Sequence, residues 1–503
     1  MSIQIEAPPM TDVAMSSGKP TSIVRSAFLT VAMRWSDRLI GVVSMLILAR
    51  LLVPADFGII AMASLVIAFA DVLFELGVHV ALIQNKNATQ ADYDTAWTIR
   101  LIQSGISTAI VFVTAPWAAD YFNEPRVAPV IQALALTFVL HGFENIGIVS
   151  FQKNMQFGKD FRFLFTKRFA GFVVTIVAAW LMQSYWALVI GNIAGRTVGL
   201  IQSYTMHPMR PRPSLAKFRE IFGISQWMLV GSIGGYLQGK LHSLIVGGRE
   251  DAGVMGAYSL AGQISSMPTT ELLAPLNRVL FPAFVRVKND LAELKRVFLL
   301  AQGVQTLIAM PAAIGVALVA EDLVTVFLGE KWRITVPFIQ IFAVMGFLRA
   351  ITTSGSYILL TFGKTRLTAL SAWGQVVLFA ALALLAFPDA GALGIAKVRL
   401  AVALTGFVAF IALLLQQFKP LRLTDILTSI ARPVGAVILM GFAVFYTAEA
   451  IALQGPLLLA SKVLVGAATY SVTILVLWWL VGRPDGAESY LLEKLRGLRR
   501  HRA

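Results

Sequence analysis

Long apolar segments recur at nearly regular intervals along this chain, and few folds accommodate such a pattern. Most of the segments reach about 20 residues or more, the length that a helix needs to cross the hydrocarbon core of a bilayer. Short polar connections separate them, and none is long enough to fold as a catalytic domain. The pattern predicts an all-α polytopic membrane protein. Its fourteen predicted spans lie at 30–52, 57–83, 96–118, 127–149, 161–182, 185–206, 221–247, 254–280, 297–319, 335–361, 367–387, 392–416, 430–451 and 457–481.

The composition agrees with a membrane protein and excludes several other classes. Of the 503 residues, 57% are hydrophobic and 14% are charged, whereas an average soluble domain has about 25% charged residues. A soluble enzyme, a disordered scaffold and a secreted disulfide module are therefore excluded. The chain has 0 Cys, which rules out disulfides, thiol catalysis, Cys-ligated zinc and iron–sulfur clusters. No Walker A, H-E-x-x-H or G-x-S-x-G motif is present, so we expect no catalytic residue, no metal and no cofactor.

The charges of the connections alternate along the chain. There are 42 Lys and Arg against 27 Asp and Glu, a formal charge of +15, and much of the surplus lies in every second connection. By the positive-inside rule these basic connections face the cytoplasm, together with both termini. The surplus therefore indicates orientation in the inner membrane, and nucleic acid is not expected as a partner. The basic connections lie at 150–160, 207–220, 282–296 and 418–430.

The two ends of the chain are polar tails. The segment 1–29 has no apolar region closed by a cleavage site, so it is predicted to be a cytoplasmic tail without a signal peptide. The basic segment 482–503 has leucines at helical spacing between its bases. This spacing is typical of a helix on an anionic leaflet, and a solvated tail explains it equally well.

Basic side chains within the predicted spans indicate a cavity for an anion, because a charge facing lipid is costly and usually functional. Arg34 and Arg38 lie four residues apart in the first span, hence on one face of a helix. An Arg guanidinium makes paired bonds to phosphate oxygens, so we expect both to bind a diphosphate. Arg278 is the candidate partner from the second half, and Arg196 and Arg349 rank after it as candidates. The alternative for each is an ion pair within the membrane or a side chain that snorkels to its surface.

Acidic side chains within the spans are candidates for binding a coupling ion. Asp71 and Glu75 lie one helical turn apart in the second span, and two such carboxylates can share a proton or bind Na⁺. They serve equally well to neutralise a base on the first span. The further candidates are Asp37, Glu144 and Glu271. Bases outnumber acids within the spans, which favours an anionic substrate.

Glycines and prolines mark further features of the spans. Glycines four residues apart let two helix backbones approach closely in a membrane, and here they indicate either ordinary helix packing or a seam between two half-bundles. Pro268 and Pro275 predict a kink in the eighth span, either static or a bending point for transport. A short echo between 56–59 and 251–254 also indicates two related halves. The glycines are Gly191, Gly195 and Gly199 in the sixth span and Gly231, Gly235 and Gly239 in the seventh.

Several short motifs, in their order along the chain, resemble those of bacterial polysaccharide transporters of the Wzx type. The stretch 49–59, ARLLVPADFGI, is similar to the signature at the end of their first helix, and 74–84, FELGVHVALIQ, to the close of their second helix. The second half contains matching stretches, GAYS at 256–259, RVLFPAF at 278–284 and EKW at 330–332. The resemblance runs through residues 25–420 and is closest to the subgroup similar to colanic-acid exporters.

The resemblance implies the fold of the multidrug/oligosaccharidyl-lipid/polysaccharide exporter superfamily. In that fold two pseudo-symmetric six-helix bundles surround a central cavity. The bundles are here assigned to 30–206 and 221–416, with two additional helices at 430–481. Related flippases for lipid-linked precursors use a basic patch on the first helix, which matches Arg34 and Arg38 in type and place.

The resemblance also implies a function. The protein is expected to flip undecaprenyl-diphosphate-linked oligosaccharide repeat units across the inner membrane by alternating access, for exopolysaccharide, capsule or O-antigen biosynthesis. The implied partners are the lipid-linked oligosaccharide, membrane lipids, a separate polymerase and a chain-length and export complex.

Two other functions compete with this expectation. A cation-coupled multidrug antiporter of the same fold would need an acidic cavity, and the excess of Arg within the spans argues against it. A membrane-bound polymerase or glycosyltransferase would need a large outer loop or a D-x-D domain. The D-x-D sequence at 92–94 lies in a short connection with no such domain around it.

Overall fold

The computed structural model describes residues 20–74, 78–85, 87–218, 226–450 and 453–500. Its regular elements are helices, and this part of the chain contains no strand, which confirms the all-α prediction. A shorter helix, α15 (Ala487–Arg500), follows the long ones. The long helices are α1 (Pro20–Leu51), α2 (Pro54–Phe74), α3 (Gln90–Tyr121), α4 (Val127–Phe143), α5 (Phe157–Met182), α6 (Trp186–Met206), α7 (Gln226–Arg249), α8 (Ala252–Arg286), α9 (Leu291–Leu318), α10 (Val336–Thr361), α11 (Thr365–Ala381), α12 (Ala392–Gln417), α13 (Leu423–Ala450) and α14 (Pro456–Leu480).

One long helix corresponds to each predicted span, but the helices are not equally apolar. Among the described residues nine helices are long and apolar enough to cross a membrane. The number is ten if α4 and the segment Ile146–Lys153, which are bent by 70° against each other, count as one span. The helices α1 and α8 are not among them, and both carry charged residues within their length. A multi-pass membrane protein is thus established, and the number of fourteen spans stays a prediction.

The connections between helices form two groups at opposite ends of the bundle. At one end, which we call the acidic end, the backbone N–H of Tyr185 donates to Asp56 at 3.2 Å, and Glu250 accepts from the backbone N–H of Ala392. At the other, basic end, the side chain of Asn145 donates to the carbonyl of Met209 at 2.7 Å. The alternating charges predict two such ends.

Corresponding helices of the two halves each have an aspartate at their start, in different positions. Asp56, in the first turn of α2, accepts a hydrogen bond from the backbone N–H of Val53 at 3.1 Å. Asp251 is the N-cap of α8 and accepts from the backbone N–H of Val254 at 2.9 Å. An N-cap of this kind stabilises a helix start by about 0.5–2 kcal/mol. The echo between the halves therefore lies at the starts of α2 and α8, where the two aspartates bond to the backbone in opposite directions along the chain.

The two halves meet most closely where α2 and α8 cross at the acidic end. A Cβ added at Gly58 would lie 1.7 Å from the carbonyl oxygen of Ala252, and one added at Gly256 would lie 1.9 Å from that of Pro54. Only glycine permits this approach, since any Cβ would overlap with backbone atoms of the other helix. The seam between the halves therefore lies at α2 and α8. Gly191 and Gly195 instead approach Gly171 of α5, which is packing within the first half.

A second contact, which we call the latch, joins the halves beside this seam. It consists of Arg50 and Leu52 near the end of α1 and residues 326–332 of the connection between α9 and α10. The buried indole of Trp332 donates to the carbonyl of Ala49 at 2.8 Å. Lys331 Nζ donates to the carbonyl of Leu52 at 2.7 Å, and Arg50 Nε donates to that of Phe327 at 2.9 Å. Together with the glycine crossing, the latch closes the acidic end.

The last two long helices pack against the second half. Lys462 of α14 pairs with Asp322 at 2.6 Å, and the hydroxyl of Tyr470 donates to the carbonyl of Leu307 in α9 at 3.0 Å. At the basic end, Arg432 of α13 pairs with the buried Glu488 of α15 at 2.8 Å. The basic tail therefore begins with a helix that is fixed to the bundle by an ion pair.

Because the chain has 0 Cys, single cysteines can test which side each end of the bundle faces. Asp389 lies exposed at the acidic end and Lys288 lies exposed at the basic end. We expect an impermeant maleimide added to intact cells to label Asp389→Cys and not Lys288→Cys, and to label both after lysis. Labelling of Lys288→Cys in intact cells would reverse the orientation.

The glycine crossing predicts that Gly256→Ala opens the acidic end. The added Cβ costs about 1–3 kcal/mol of overpacking in the closed state, so the halves should separate more often. The measurement is the rate of maleimide labelling of Ile59→Cys, a fully buried position beside Gly58, in the purified protein. The matched control is Gly262→Ala, whose Cβ meets only Phe342 at 3.8 Å. Equal protection of the cysteine in both variants would contradict a role of the crossing in closure.

Candidate functional site

A cavity of about 680 Å³ lies inside the first half. Side chains of α1, α5 and α6 line it, among them Asp37, Lys167 and Asn192, and Arg278 of α8 reaches it from the second half. We call it the N-half cavity. Gly171, Gly191 and Gly195 line its wall, and the absence of side chains at these positions leaves room between α5 and α6. The cavity is therefore a space to which both halves contribute.

Positive charge predominates in the N-half cavity. Arg168 Nε lies 3.2 Å from Asp37 Oδ1, and both side chains are more than half exposed. Lys167 and Arg278 add two further cations to the lining. Asp37 is the one carboxylate among the described lining residues, and Glu144 behind the wall pairs with Lys167. Three bases and two acids therefore act on this space, which leaves a net positive charge.

A buried network holds Lys167 in place. Its Nζ lies 2.9 Å from Glu144 Oε1, and His141 Nδ1 lies 3.1 Å from Glu144 Oε2. The guanidinium of Arg100 donates to the backbone carbonyl of Glu144. Glu144 is 4% exposed, and both of its carboxylate oxygens are occupied in this conformation. The network fixes the break after α4 and aligns Lys167 with the cavity wall.

An ion pair connects the two halves near the N-half cavity. Arg38 of α1 lies 3.1 Å from Glu271 of α8, and both side chains are partly exposed. Arg38 precedes the latch by several helical turns, so this pair lies away from the acidic end. It is a contact between the halves that a competing anion can reach.

A second cavity, which we call the C-half cavity, lies among α7, α8, α10, α11 and α12. Its volume is about 770 Å³, and Arg349 is part of its lining. The helix α8 contributes to both cavities, with Arg278 in the N-half cavity and residues 258–266 in the C-half cavity.

The predicted anion-binding residues are thus distributed over three places. Arg278 lines the N-half cavity, Arg38 pairs with Glu271, and Arg349 lines the C-half cavity. Arg196 is half-buried on α6, next to Gly195 of the cavity wall. The side chain of Arg34 lies outside the described residues.

The predicted acidic residues are mostly paired with bases. Asp37 pairs with Arg168, Glu271 with Arg38, and Glu144 with Lys167. Asp71 is exposed on α2. Glu75 lies outside the described residues. Among the described residues no group of His, Asp and Glu is arranged to hold a metal ion.

Two residues of the N-half cavity, Lys167 and Arg168, were not predicted from the sequence. Basic residues near the cytoplasmic end of a span satisfy the positive-inside rule, so they carry no separate signal of function. The signal that could have found them is their position several residues inside the predicted span 161–182.

Comparisons with known proteins agree with this architecture. The model of the family "Polysaccharide biosynthesis protein" matches residues 47–337. The lipopolysaccharide biosynthesis protein WzxC of Escherichia coli K12 is 30% identical over 322 residues, which are 62% of this chain and 64% of that protein, slightly less than two thirds of its length. The teichuronic acid biosynthesis protein TuaB of Bacillus subtilis 168 is 24% identical over 435 residues, 85% of this chain and 89% of that protein.

Among solved structures, the lipid II flippase MurJ in its inward closed conformation is similar in fold. The TM-score is 0.74 at 11% sequence identity, and the match covers 90% of this chain and 99% of that one. The family model covers more than half of the chain. The chain therefore belongs to the polysaccharide biosynthesis protein family.

Proposed function

We propose that this protein flips an undecaprenyl-diphosphate-linked oligosaccharide from the cytoplasmic to the outer leaflet of the inner membrane. The observation that carries the proposal is the N-half cavity, where Lys167 and Arg168 of the first half and Arg278 of the second half share the lining with one carboxylate, Asp37. A diphosphate is the charged part common to all such substrates. Arg binds phosphate oxygens bidentately, and the cavity offers it cations from both halves.

The names of the related proteins support the same function. They describe biosynthesis of lipopolysaccharide and of teichuronic acid, and the similar structure is that of a flippase for lipid II. A polymerase and an export complex as partners belong to this proposal.

Alternating access follows from the way in which the halves are joined. The latch and the glycine crossing close the acidic end, so substrate enters from the basic end, which we assign to the cytoplasm. Reorientation then requires α2 and α8 to separate at Gly58 and Gly256. Pro268 and Pro275 lie within α8 and supply bending points, because each removes a backbone hydrogen bond.

Arg38 and Glu271 provide a link between substrate binding and this motion. In the closed state the carboxylate of Glu271 forms an ion pair with the guanidinium of Arg38. We propose that the diphosphate competes with Glu271 for the guanidinium, which weakens the contact between the halves when substrate is bound. Asp37 and Glu144 also form ion pairs, with Arg168 and Lys167. Either acid can bind a coupling ion only if its ion pair breaks during the transport cycle.

The alternative, a multidrug antiporter for cations, is less well supported. Asp37 is the single carboxylate among the described lining residues of the two cavities, and it already pairs with Arg168. A cationic drug would therefore face a surplus of positive charge.

The proposed diphosphate site predicts an effect of substituting Arg278. Arg278→Gln removes one charge-assisted phosphate contact, worth about 1.5–3 kcal/mol, so the flipping rate at low substrate concentration should fall roughly tenfold or more. The measurement is the transfer of undecaprenyl-diphosphate oligosaccharide in proteoliposomes, alongside polysaccharide export in cells. The matched control is Arg286→Gln, an exposed position on the same helix outside the cavity. An unchanged rate in Arg278→Gln at normal abundance would refute this site.

The proposed competition predicts an effect of substituting Arg38 or Glu271. Glu271→Gln frees the guanidinium, so we expect pyrophosphate to bind the purified protein several-fold more tightly, whereas Arg38→Gln should weaken binding. Isothermal titration calorimetry measures both. If Glu271→Gln weakens binding as strongly as Arg38→Gln, the two residues hold the fold together and the proposed competition is wrong.

A further inference from the structure

The C-half cavity has an unusual distribution of charge. Three of its lining residues are basic, Lys240, Arg349 and Arg399, and no carboxylate occurs among its described lining residues. In the N-half cavity, by contrast, Asp37 offsets part of the charge. A cation inside a membrane protein is stabilised by a counter-charge, a backbone carbonyl or water. No carboxylate of the described lining supplies a counter-charge here.

The most deeply placed of these bases is held in position and only partly satisfied. Arg399 donates from its terminal nitrogen to the backbone carbonyl of Gln238 at 3.1 Å. Its Nε is buried and has no hydrogen-bond partner. A buried donor without a partner costs about 1–3 kcal/mol, so the protein alone satisfies this guanidinium only in part, and the side chain lines the cavity. Arg349 and Lys240 are exposed to the same space.

Neutral hydrogen-bonding groups make up much of the remaining lining. Hydroxyl and amide side chains from four helices take part, for example Gln238, Ser266, Thr353 and Gln375. Such groups both donate and accept, which matches the hydroxyls of a sugar better than the acceptor-only oxygens of a diphosphate.

Aromatic rings complete the wall. Tyr258 and Phe342 pack edge to face with centroids 4.9 Å apart, and the hydroxyl of Tyr258 lies 2.8 Å from His242 Nδ1. This cluster is rigid, because Tyr258 is 1% exposed and its polar end is already bonded. A volume of about 770 Å³ falls within the range of pockets that enclose a drug-sized ligand, which is the scale of a short oligosaccharide.

We propose that the C-half cavity binds the glycan part of the transported molecule and that this glycan is acidic, carrying carboxylate groups. The inference rests on the proposed function and adds the chemical class of the oligosaccharide. The diphosphate binds in the N-half cavity and the carboxylates pair with Arg349, Arg399 and Lys240. Because α8 lines both cavities, one substrate molecule contacts the same helix through both of its parts.

The test uses the purified full-length protein and three probes. Trigalacturonic acid carries carboxylates, its methyl ester has the same sugars without charge, and inorganic pyrophosphate represents the diphosphate. Binding of each is measured by calorimetry for the parent protein, Arg349→Gln, Arg399→Gln and the matched control Lys397→Gln. Lys397 is an exposed base on the same helix as Arg399, two residues away and outside the cavity lining.

We expect trigalacturonic acid to bind the parent protein and Lys397→Gln alike, and its methyl ester to bind at least tenfold more weakly. Arg349→Gln and Arg399→Gln should each weaken trigalacturonic acid binding about ten- to a hundredfold and leave pyrophosphate binding unchanged. Arg349→Lys should restore binding in part, because it keeps the charge and loses the fork. This variant also separates the loss of charge from a folding defect.

Several results would overturn the proposal. They are absence of trigalacturonic acid binding, equal binding of acid and ester, or loss of pyrophosphate binding in Arg349→Gln and Arg399→Gln, which would make this cavity the diphosphate site. A further measurement is the composition of the polysaccharide that disappears when the gene is deleted: a polymer without acidic sugars or acidic substituents would also overturn it. Failure of the flippase function itself would appear differently, as normal polysaccharide export in the deletion strain.

Discussion

The inability of lipid to solvate charge governs this structure. A charge within a membrane helix must meet an opposite charge, a backbone carbonyl or an aqueous space. Several buried charges follow this rule: Glu144 pairs with Lys167 and His141, Arg100 donates to a backbone carbonyl, and Lys462 pairs with Asp322. The bases of the C-half cavity face a lining that contains no carboxylate among its described residues. Under the proposals above, this departure from pairing identifies a space that substrate enters.

The two cavities differ in how their charge is balanced. The N-half cavity contains an acid, Asp37, that a strong anion can displace from Arg168, so its bases have a partner when the cavity is empty. The C-half cavity has no such acid among its described lining residues. Under the proposals above, an anionic group that enters the C-half cavity meets bases without a competing carboxylate, whereas one that enters the N-half cavity must compete with Asp37.

Hydropathy and charge alternation were sufficient to predict the helices, their order and the two ends of the bundle, because each depends on local composition. Which charged side chains pair with each other was not predictable in the same way. Asp37 lies beside Arg38 in sequence and pairs with Arg168, whereas Arg38 pairs with Glu271 more than two hundred residues away. These pairs depend on the rotation of α1 about its own axis between α5 and α8, which cannot be predicted from a local sequence pattern. Lys167 and Arg168 were missed because the positive-inside rule alone accounts for basic residues near the cytoplasmic end of a span. The C-half cavity was missed because its bases come from three separate helices.

The latch contacts have one more property, which concerns their acceptors. Trp332, Lys331 and Arg50 all donate to backbone carbonyls of the opposite half. A backbone carbonyl belongs to every residue, so a substitution at an accepting position leaves the acceptor in place. The strength of the latch therefore depends on the identity of its three donors far more than on the identity of the residues that they contact.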